Sequence, residues 1–302
     1  AASSDIDNRE TEDFNHAVGR LAVVAGTSSC HIAISREPHF VNGIWGPYKD
    51  ILFENFWCSE GGQTCTGELL AYVLKVHPAY EQLQSIADKT ASSVYDTLNS
   101  ILDDMVTTQE KRSVVALGKH LFYYGDLRGN RSPLGDAEMR GSVIGFSMDT
   151  TLNDIALKYY AACEFIAQQT RHIIETMIKA GHRIKALYMS GGQCRNNLLM
   201  ELLTNATGYP VVIPEYIDSA VVFGAALLGA SASKSFELKK AQSHEVTLWN
   251  IMKYMTKSDR VIMPQCVGSS DRKLLDVKYQ IYLDMAQKQK EYRSMVDSVK
   301  TE

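Results

Sequence analysis

Between residues 150 and 230 the chain alternates helix and strand in an order that leaves few folds open. Thr150, Thr151 and Asn153 offer N-caps to a helix. That helix carries Ala156, Tyr160, Cys163, Ala167, Thr170, Ile174 and Met177 at i, i+3/i+4 spacing, a stripe that implies one buried face. Ala180-Gly181 ends it, because glycine accepts the left-handed cap. Residues 184–189 read as a strand that runs straight into Ser190-Gly191-Gly192. A helix over 197–207 ends near Gly208, a strand over 211–213 is closed by Pro214, and Asp218 or Ser219 caps a last helix over 220–230. Helix, strand, helix, strand, helix is the order of an α/β domain.

The flanking segments are less regular. Residues 1–19 are polar and are expected to form a flexible linker. Residues 20–25 and 30–35 read as two strands of a hairpin with Gly26-Thr27-Ser28-Ser29 at its tip. Residues 36–59 are loop-rich with short strands. Gly61-Gly62 is expected to open a helix reaching about residue 76, with Leu69, Leu70, Val73 and Leu74 on its apolar face and His77-Pro78 as its stop. Residues 80–112 read as a helical insertion. Residues 114–117 and 121–124 are short apolar segments, and 125–141 is a polar loop holding Arg128, Arg131 and Arg140. A long helix is expected over 271–299, with Leu274, Tyr282, Met285, Tyr292, Met295 and Val299 as packing positions.

Charge and composition narrow the partners. The net charge is −4 over 302 residues with both signs mixed, so no basic field points to nucleic acid. No apolar run approaches the roughly 20 residues that cross a bilayer. Six cysteines stand at 30, 58, 65, 163, 194 and 266, with no Cys-x-x-Cys pair and no histidine at zinc-ligand spacing. They read as reduced thiols in a cytoplasmic protein, and no metal ligand set is expected.

Two glycine-rich turns carry the chemistry. A strand that ends in Gly26-Thr27-Ser28-Ser29 can turn backbone amides and hydroxyls toward phosphate oxygens. The second turn, Ser190-Gly191-Gly192 through Asn196-Asn197, leads from a strand into a helix, and its glycines admit a flat group such as a purine or its ribose. Asn196 either bonds a ligand or caps the helix, and local sequence favours neither. There is no Gly-x-Gly-x-x-Gly after the first strand and no Gly-x-x-x-x-Gly-Lys-Ser/Thr anywhere, which argues against a Rossmann dehydrogenase and a P-loop enzyme. Paired turns of this kind suit the actin/hexokinase type of nucleotide fold.

Further motifs appear in a telling order: Gly141-Ser142-Val143-Ile144-Gly145-Phe146, then Glu164, Thr170 and Arg171, then Ser190-Gly191-Gly192 to Asn197, then Phe223-Gly224-Ala225-Ala226. Over roughly residues 20–230 this order resembles the C-terminal, nucleotide-binding half of the FGGY carbohydrate kinases. Ala25 to His31, Gly43-Ile44-Trp45-Gly46-Pro47-Tyr48, Glu60-Gly61-Gly62-Gln63 and Gly129-Asn130-Arg131-Ser132-Pro133-Leu134 are similar to the ribulokinases of the D-ribulose type within that family. The resemblance implies a ribonuclease-H/actin-like α/β fold for residues 20–302 and ATP-dependent phosphorylation of a ketopentose with Mg²⁺. It also implies a nucleotide site in which Gly26 and Thr27 meet the γ- and β-phosphates. Gly62 and Thr66 would line the phosphate–ribose side, and Gly191, Gly192 and Asn196 would hold the adenosine.

The family's general base is an aspartate in a Gly-x-x-Asp-Ala-like setting. Asp5 and Asp7 stand in Ser4-Asp5-Ile6-Asp7-Asn8, the wrong context, and read as solvated linker residues. The base and the sugar-binding half are therefore expected upstream, no catalytic residue is expected in this chain, and the pentulose would be held mainly by that other half. Trp45, Trp57 and Tyr48 read first as packing residues, His31 as a satisfied structural histidine, and Arg128 and Arg131 as solvated loop residues. A nucleotide-binding pseudokinase acting through a protein partner is the rival reading. An actin-like or chaperone-type ATPase is a third, against which the loop at 43–48 argues. The sequence leaves a homodimer open.

Overall fold

The structure, a computed structural model, describes residues 17–237 and 244–299. Asp5 and Asp7 lie outside the described residues. Numbered in chain order, the strands are β1 (Arg20–Ala25), β2 (Ser29–Ser35), β3 (Trp45–Lys49), β4 (Trp57–Gln63), β5 (Phe122–Tyr124), β6 (Ser142–Ile144), β7 (Ala186–Ser190), β8 (Val211–Pro214) and β9 (Ser258–Ile262). The helices are α1 (Gly67–Lys75), α2 (Tyr80–Lys89), α3 (Val94–Thr108), α4 (Val114–Leu117), α5 (Leu152–Lys179), α6 (Asn197–Thr207), α7 (Ala220–Glu237), α8 (His244–Met255) and α9 (Ser270–Asp297).

A seven-stranded sheet in the order β3-β4-β2-β1-β7-β8-β9 organises the molecule, with β5 and β6 forming a separate hairpin. β1 pairs parallel with β7 and β7 with β8, while β1–β2 and β2–β4 are antiparallel. The period of two along β1 divides its residues between the two faces of the sheet. Leu21, Val23 and Ala25 face the main core, in which α5 is enclosed by α1, α3, α6 and α9. That enclosure explains why α5 buries every residue from Tyr159 to Thr170. On the other face Ile34 and Phe56 of the sheet side pack with Leu227 of α7 and Leu248, Trp249 and Ile251 of α8 in a smaller core.

The structure departs from the sequence expectations at Gly61-Gly62, at the end of α9, and at Trp45 and Tyr48, which are about half exposed rather than packed. Gly61-Gly62 belongs to β4, and the helix begins only at Gly67. The glycines mark close approach rather than a helix start: a Cβ on Gly61 would lie 2.8 Å from both Ile173 of α5 and Ile44, and one on Gly62 would lie 2.5 Å from Arg131 Cδ. The second departure is at the end of α9. Tyr282 and Met285 are buried, whereas Tyr292, Met295 and Val299 are 62%, 66% and 66% exposed, because the helix runs past the main core.

Candidate functional site

β1 and β7 are parallel neighbours, so the turns that follow them emerge side by side. Turn 1, residues 26–28, joins β1 to β2. Turn 2 leaves β7 through Gly191 into a 3₁₀ turn, Gly192–Arg195, and then α6. Gly191 takes φ +92°, and a Cβ there would lie 2.4 Å from the carbonyl oxygen of Ala25, so only glycine lets turn 2 lie against the end of β1. Gly192 next to it faces open space, with nothing within 4 Å of the position a Cβ would take.

The two turns are fastened to each other and to α1. The amides of Thr66 and Glu68 donate to the Thr27 carbonyl at 2.9 and 3.1 Å, and that of Gly67 donates to the Gly26 carbonyl at 3.1 Å. The Thr66 hydroxyl, fully buried, lies 2.9 Å from that of Ser29. From turn 2 the Gln193 side-chain amide donates to the Gly26 carbonyl and, at 2.7 Å, to Thr66 Oγ1. A Cβ on Gly67 would lie 2.6 Å from the Gly26 oxygen, so a glycine is needed where α1 meets turn 1. Gly26 and Thr27 stay exposed, and the hydroxyls of Thr27 and Ser28 have no hydrogen-bond partner among the described residues.

The seven expected residues thus divide. Gly26, Thr27, Gly191 and Gly192 come together where β1 and β7 end. Thr66 is the fastener beneath them, and the first amides of α1 point at turn 1 rather than at solvent. Asn196 caps α6: its Oδ1 accepts from the Leu199 amide at 3.2 Å and from the Tyr159 hydroxyl at 3.0 Å. Of the two roles open to it from sequence, capping is the one its side chain performs. Gly62 sits deeper on β4, where its bare Cα seats Arg131. Gly67 and Gln193 were not singled out by sequence. Gln193 lies inside the turn 2 motif, and Gly67 sits at the first position of a helix, but neither pattern reports the partner on the other turn.

Arg131 belongs to a second cluster on the exposed sheet face. Its guanidinium lies 5.5 Å from the Trp45 ring centroid and forms no ion pair among the described residues. Arg128 pairs with Glu68 on α1. The Cys30 thiol, opposite Gly62 in the β2–β4 register, is pushed up to about 11 by burial and by Glu60, so it stays protonated at neutral pH. The Arg131 loop is itself rigid. The Asn130 side chain donates to Asp126 at 2.7 Å and accepts from the Leu134 amide at 2.9 Å, and Ser132 donates to the Gly43 carbonyl at 2.7 Å. That last bond holds the 43–48 loop against 129–134. His31 is fully buried, with its ring nitrogens 3.3 Å from the Gly61 carbonyl and 3.2 Å from the Thr170 hydroxyl.

Residues 21–233 match the model of the FGGY family of carbohydrate kinases, C-terminal domain. The chain belongs to that family. Among curated relatives, it is 41% identical to a D-ribulokinase of Saccharomyces cerevisiae across 95% of this chain and 53% of the relative. It is 39% identical to an FGGY carbohydrate kinase domain-containing protein of Homo sapiens across 92% of this chain and 48% of the relative. This FGGY chain therefore spans about half the length of the curated relatives it matches. Among solved structures, the xylulose kinase of Rhodospirillum rubrum superposes with a TM-score of 0.66 at 16% identity, covering 96% of this chain and 50% of that one. The glycerol kinase of Plasmodium falciparum superposes with a TM-score of 0.62 at 15% identity, covering 94% and 48%. These likenesses establish the sugar-kinase, actin-like fold.

Among the described residues no three His, Cys, Asp or Glu side chains cluster as a metal site, and no helix is long and apolar enough to cross a membrane.

Proposed function

We propose that this FGGY domain binds the ATP of a carbohydrate kinase and that, joined to a sugar-holding half, it transfers the γ-phosphoryl group to a ketopentose hydroxyl, with D-ribulose the preferred acceptor. The observation that carries this reading is the fastened pair of turns with an open rim. Gly192 leaves room for a flat nucleoside, and the unengaged hydroxyls of Thr27 and Ser28 stand on the turn alongside. Phosphoryl transfer asks a protein mainly for positioning and for donors aimed at the moving charge, and a rigid rim of this kind suits that demand. Gly26 and Thr27 meet the terminal phosphates, and Gly192 meets the adenosine on the turn that Gly191 seats against β1. Thr66 fastens turn 1, Asn196 caps the helix that follows turn 2, and Gly62 seats Arg131 beneath the phosphate side. Mg²⁺ would ride on the phosphates with its waters, the usual manner of a small hard cation that dehydrates reluctantly. The D-ribulose assignment follows the 41% identity to a D-ribulokinase. Six free cysteines suit a reducing, cytoplasmic setting.

Thr27→Ala in the two-half protein tests the site. The kcat should fall on the order of 10²-fold, as for loss of one donor to a developing charge, with a smaller change in the KM for ATP. A kcat within twofold of wild type, corrected for folded fraction, sinks the phosphate role. The chain by itself should bind ADP weakly by calorimetry and release no ADP with D-ribulose. Sugar-dependent turnover by the chain alone, at the rate of the two-half protein, would overturn the division of labour.

A further inference from the structure

The sheet face turned away from α5 and α6 carries a cavity of about 390 Å³, roofed by α7 and α8. Volumes of that order hold small organic ligands. Its room comes from two small residues on opposite walls. Ala22 lies on the β1 floor and Gly224 on the α7 roof, where a Cβ would meet nothing within 4 Å. Protein interiors otherwise close such space with side chains, so an unfilled region this large beside a packed aromatic cluster needs a reason. The walls are flat and apolar: Tyr188, Phe223 and Trp249. The charged side chains that line it among the described residues are basic. Arg20, Lys253 and Lys257 line it, and among the described residues no Asp or Glu does. The Arg20 guanidinium lies 5.2 Å from the Tyr188 ring centroid and 5.5 Å from that of Trp249. Neither Lys253 nor Lys257 forms an ion pair among the described residues.

We infer that this cavity binds a small planar anion, an aromatic ring bearing a carboxylate, sulfonate or phosphate. The ring lies between Trp249 and Phe223, and the charge faces the lysines. Aromatic walls reward a flat body, and two lysines with no ion pair among the described residues reward a negative substituent. The site is separate from the nucleotide rim. The rim lies at the ends of β1 and β7, whereas the cavity opens on the sheet face through Arg20, Ala22 and Tyr188, whose side chains point away from the main core. Ser190 lines the cavity and immediately precedes Gly191, so a bound anion would press on the strand that leads into turn 2.

The test uses the 302-residue chain and the fluorescent probe 1-anilinonaphthalene-8-sulfonate, with its uncharged parent 1-anilinonaphthalene as control. One saturable site per folded chain is expected, with the sulfonate at least tenfold tighter than the parent. The pair Lys253→Glu with Lys257→Glu changes exposed or half-buried side chains and should weaken the sulfonate at least tenfold while leaving the parent within twofold. Gly224→Phe should weaken both, and circular dichroism confirms its fold. Saturating Mg·ATP should leave the probe bound. Equal affinity of sulfonate and parent, or unchanged sulfonate affinity in the double lysine variant, overturns the inference. Displacement of the probe by Mg·ATP also overturns it, since the cavity would then be part of the nucleotide site.

Discussion

Gly191 and Gly192 are adjacent, identical in chemistry and opposite in circumstance. Gly191 holds a left-handed φ with the Ala25 carbonyl against its Cα, whereas Gly192 looks into open space. Gly191→Ala should therefore destabilise the fold by about 1–3 kcal/mol through backbone strain and the collision with β1. Gly192→Val should leave the melting temperature within a degree or two and lower ADP affinity at least tenfold. Thermal melts and calorimetry on the two variants read both effects, and equal ADP affinity in a folded Gly192→Val protein removes the adenosine assignment. The same pair marks the limit of what a sequence can tell. It was legible as a close-packing turn after a strand, but which glycine serves the fold and which leaves room for a ligand depends on β1, 166 positions earlier for Ala25 against Gly191. Asn196 meets the same limit, since its cap is local while its bond to Tyr159 is not.

Among the elements, periodic segments were the most legible. The helix expected over 197–207 is α6 with Gly208 left-handed at its end, and the strand over 211–213 is β8. Where periodicity was absent, as at Gly61-Gly62, the sequence could not tell a helix start from a strand that two neighbours approach closely. Nor could it show that Lys278 of α9 is buried with Nζ 2.7 Å from Glu164 Oε2 of α5 and 2.8 Å from the Gly118 carbonyl. Burial raises the Glu164 carboxyl, Lys278 opposes that rise, and the Tyr160 hydroxyl donates to the same oxygen. Lys278→Met leaves that carboxyl without its cation and should cost about 3–5 kcal/mol. Combining it with Glu164→Gln, which keeps an acceptor for Tyr160, should recover most of the loss. Urea unfolding of the two singles and the double gives the coupling directly. Additive losses would mean that the pair does not fasten α9 to α5.

For the whole molecule, three histidines weaken the fold toward acid. His31, His172 and His182 are each lowered to about 4, in every case chiefly by burial. The unfolded chain takes up these protons near pH 6.5 while the folded chain resists until about 4. Their contribution is thus fully present above about pH 6.5 and is lost as pH falls through the interval to 4. The urea midpoint should drop between pH 7 and pH 5, and His31→Gln should make that drop shallower; an unchanged slope would exclude His31 as a contributor. The fold class and the order of motifs could be read along the chain, but the second core under α7 and α8 could not, since it joins Ile34 and Phe56 to residues more than 170 positions away. The fastening of the two turns also governs how the molecule can move. With α1 hydrogen-bonded to turn 1, and Gln193 tying turn 2 to both, the three segments behave as a single solid block. If the proposed nucleotide site is right, binding there would carry little entropy penalty for ordering loops, and a closing motion would swing the block as a unit about a hinge that lies elsewhere.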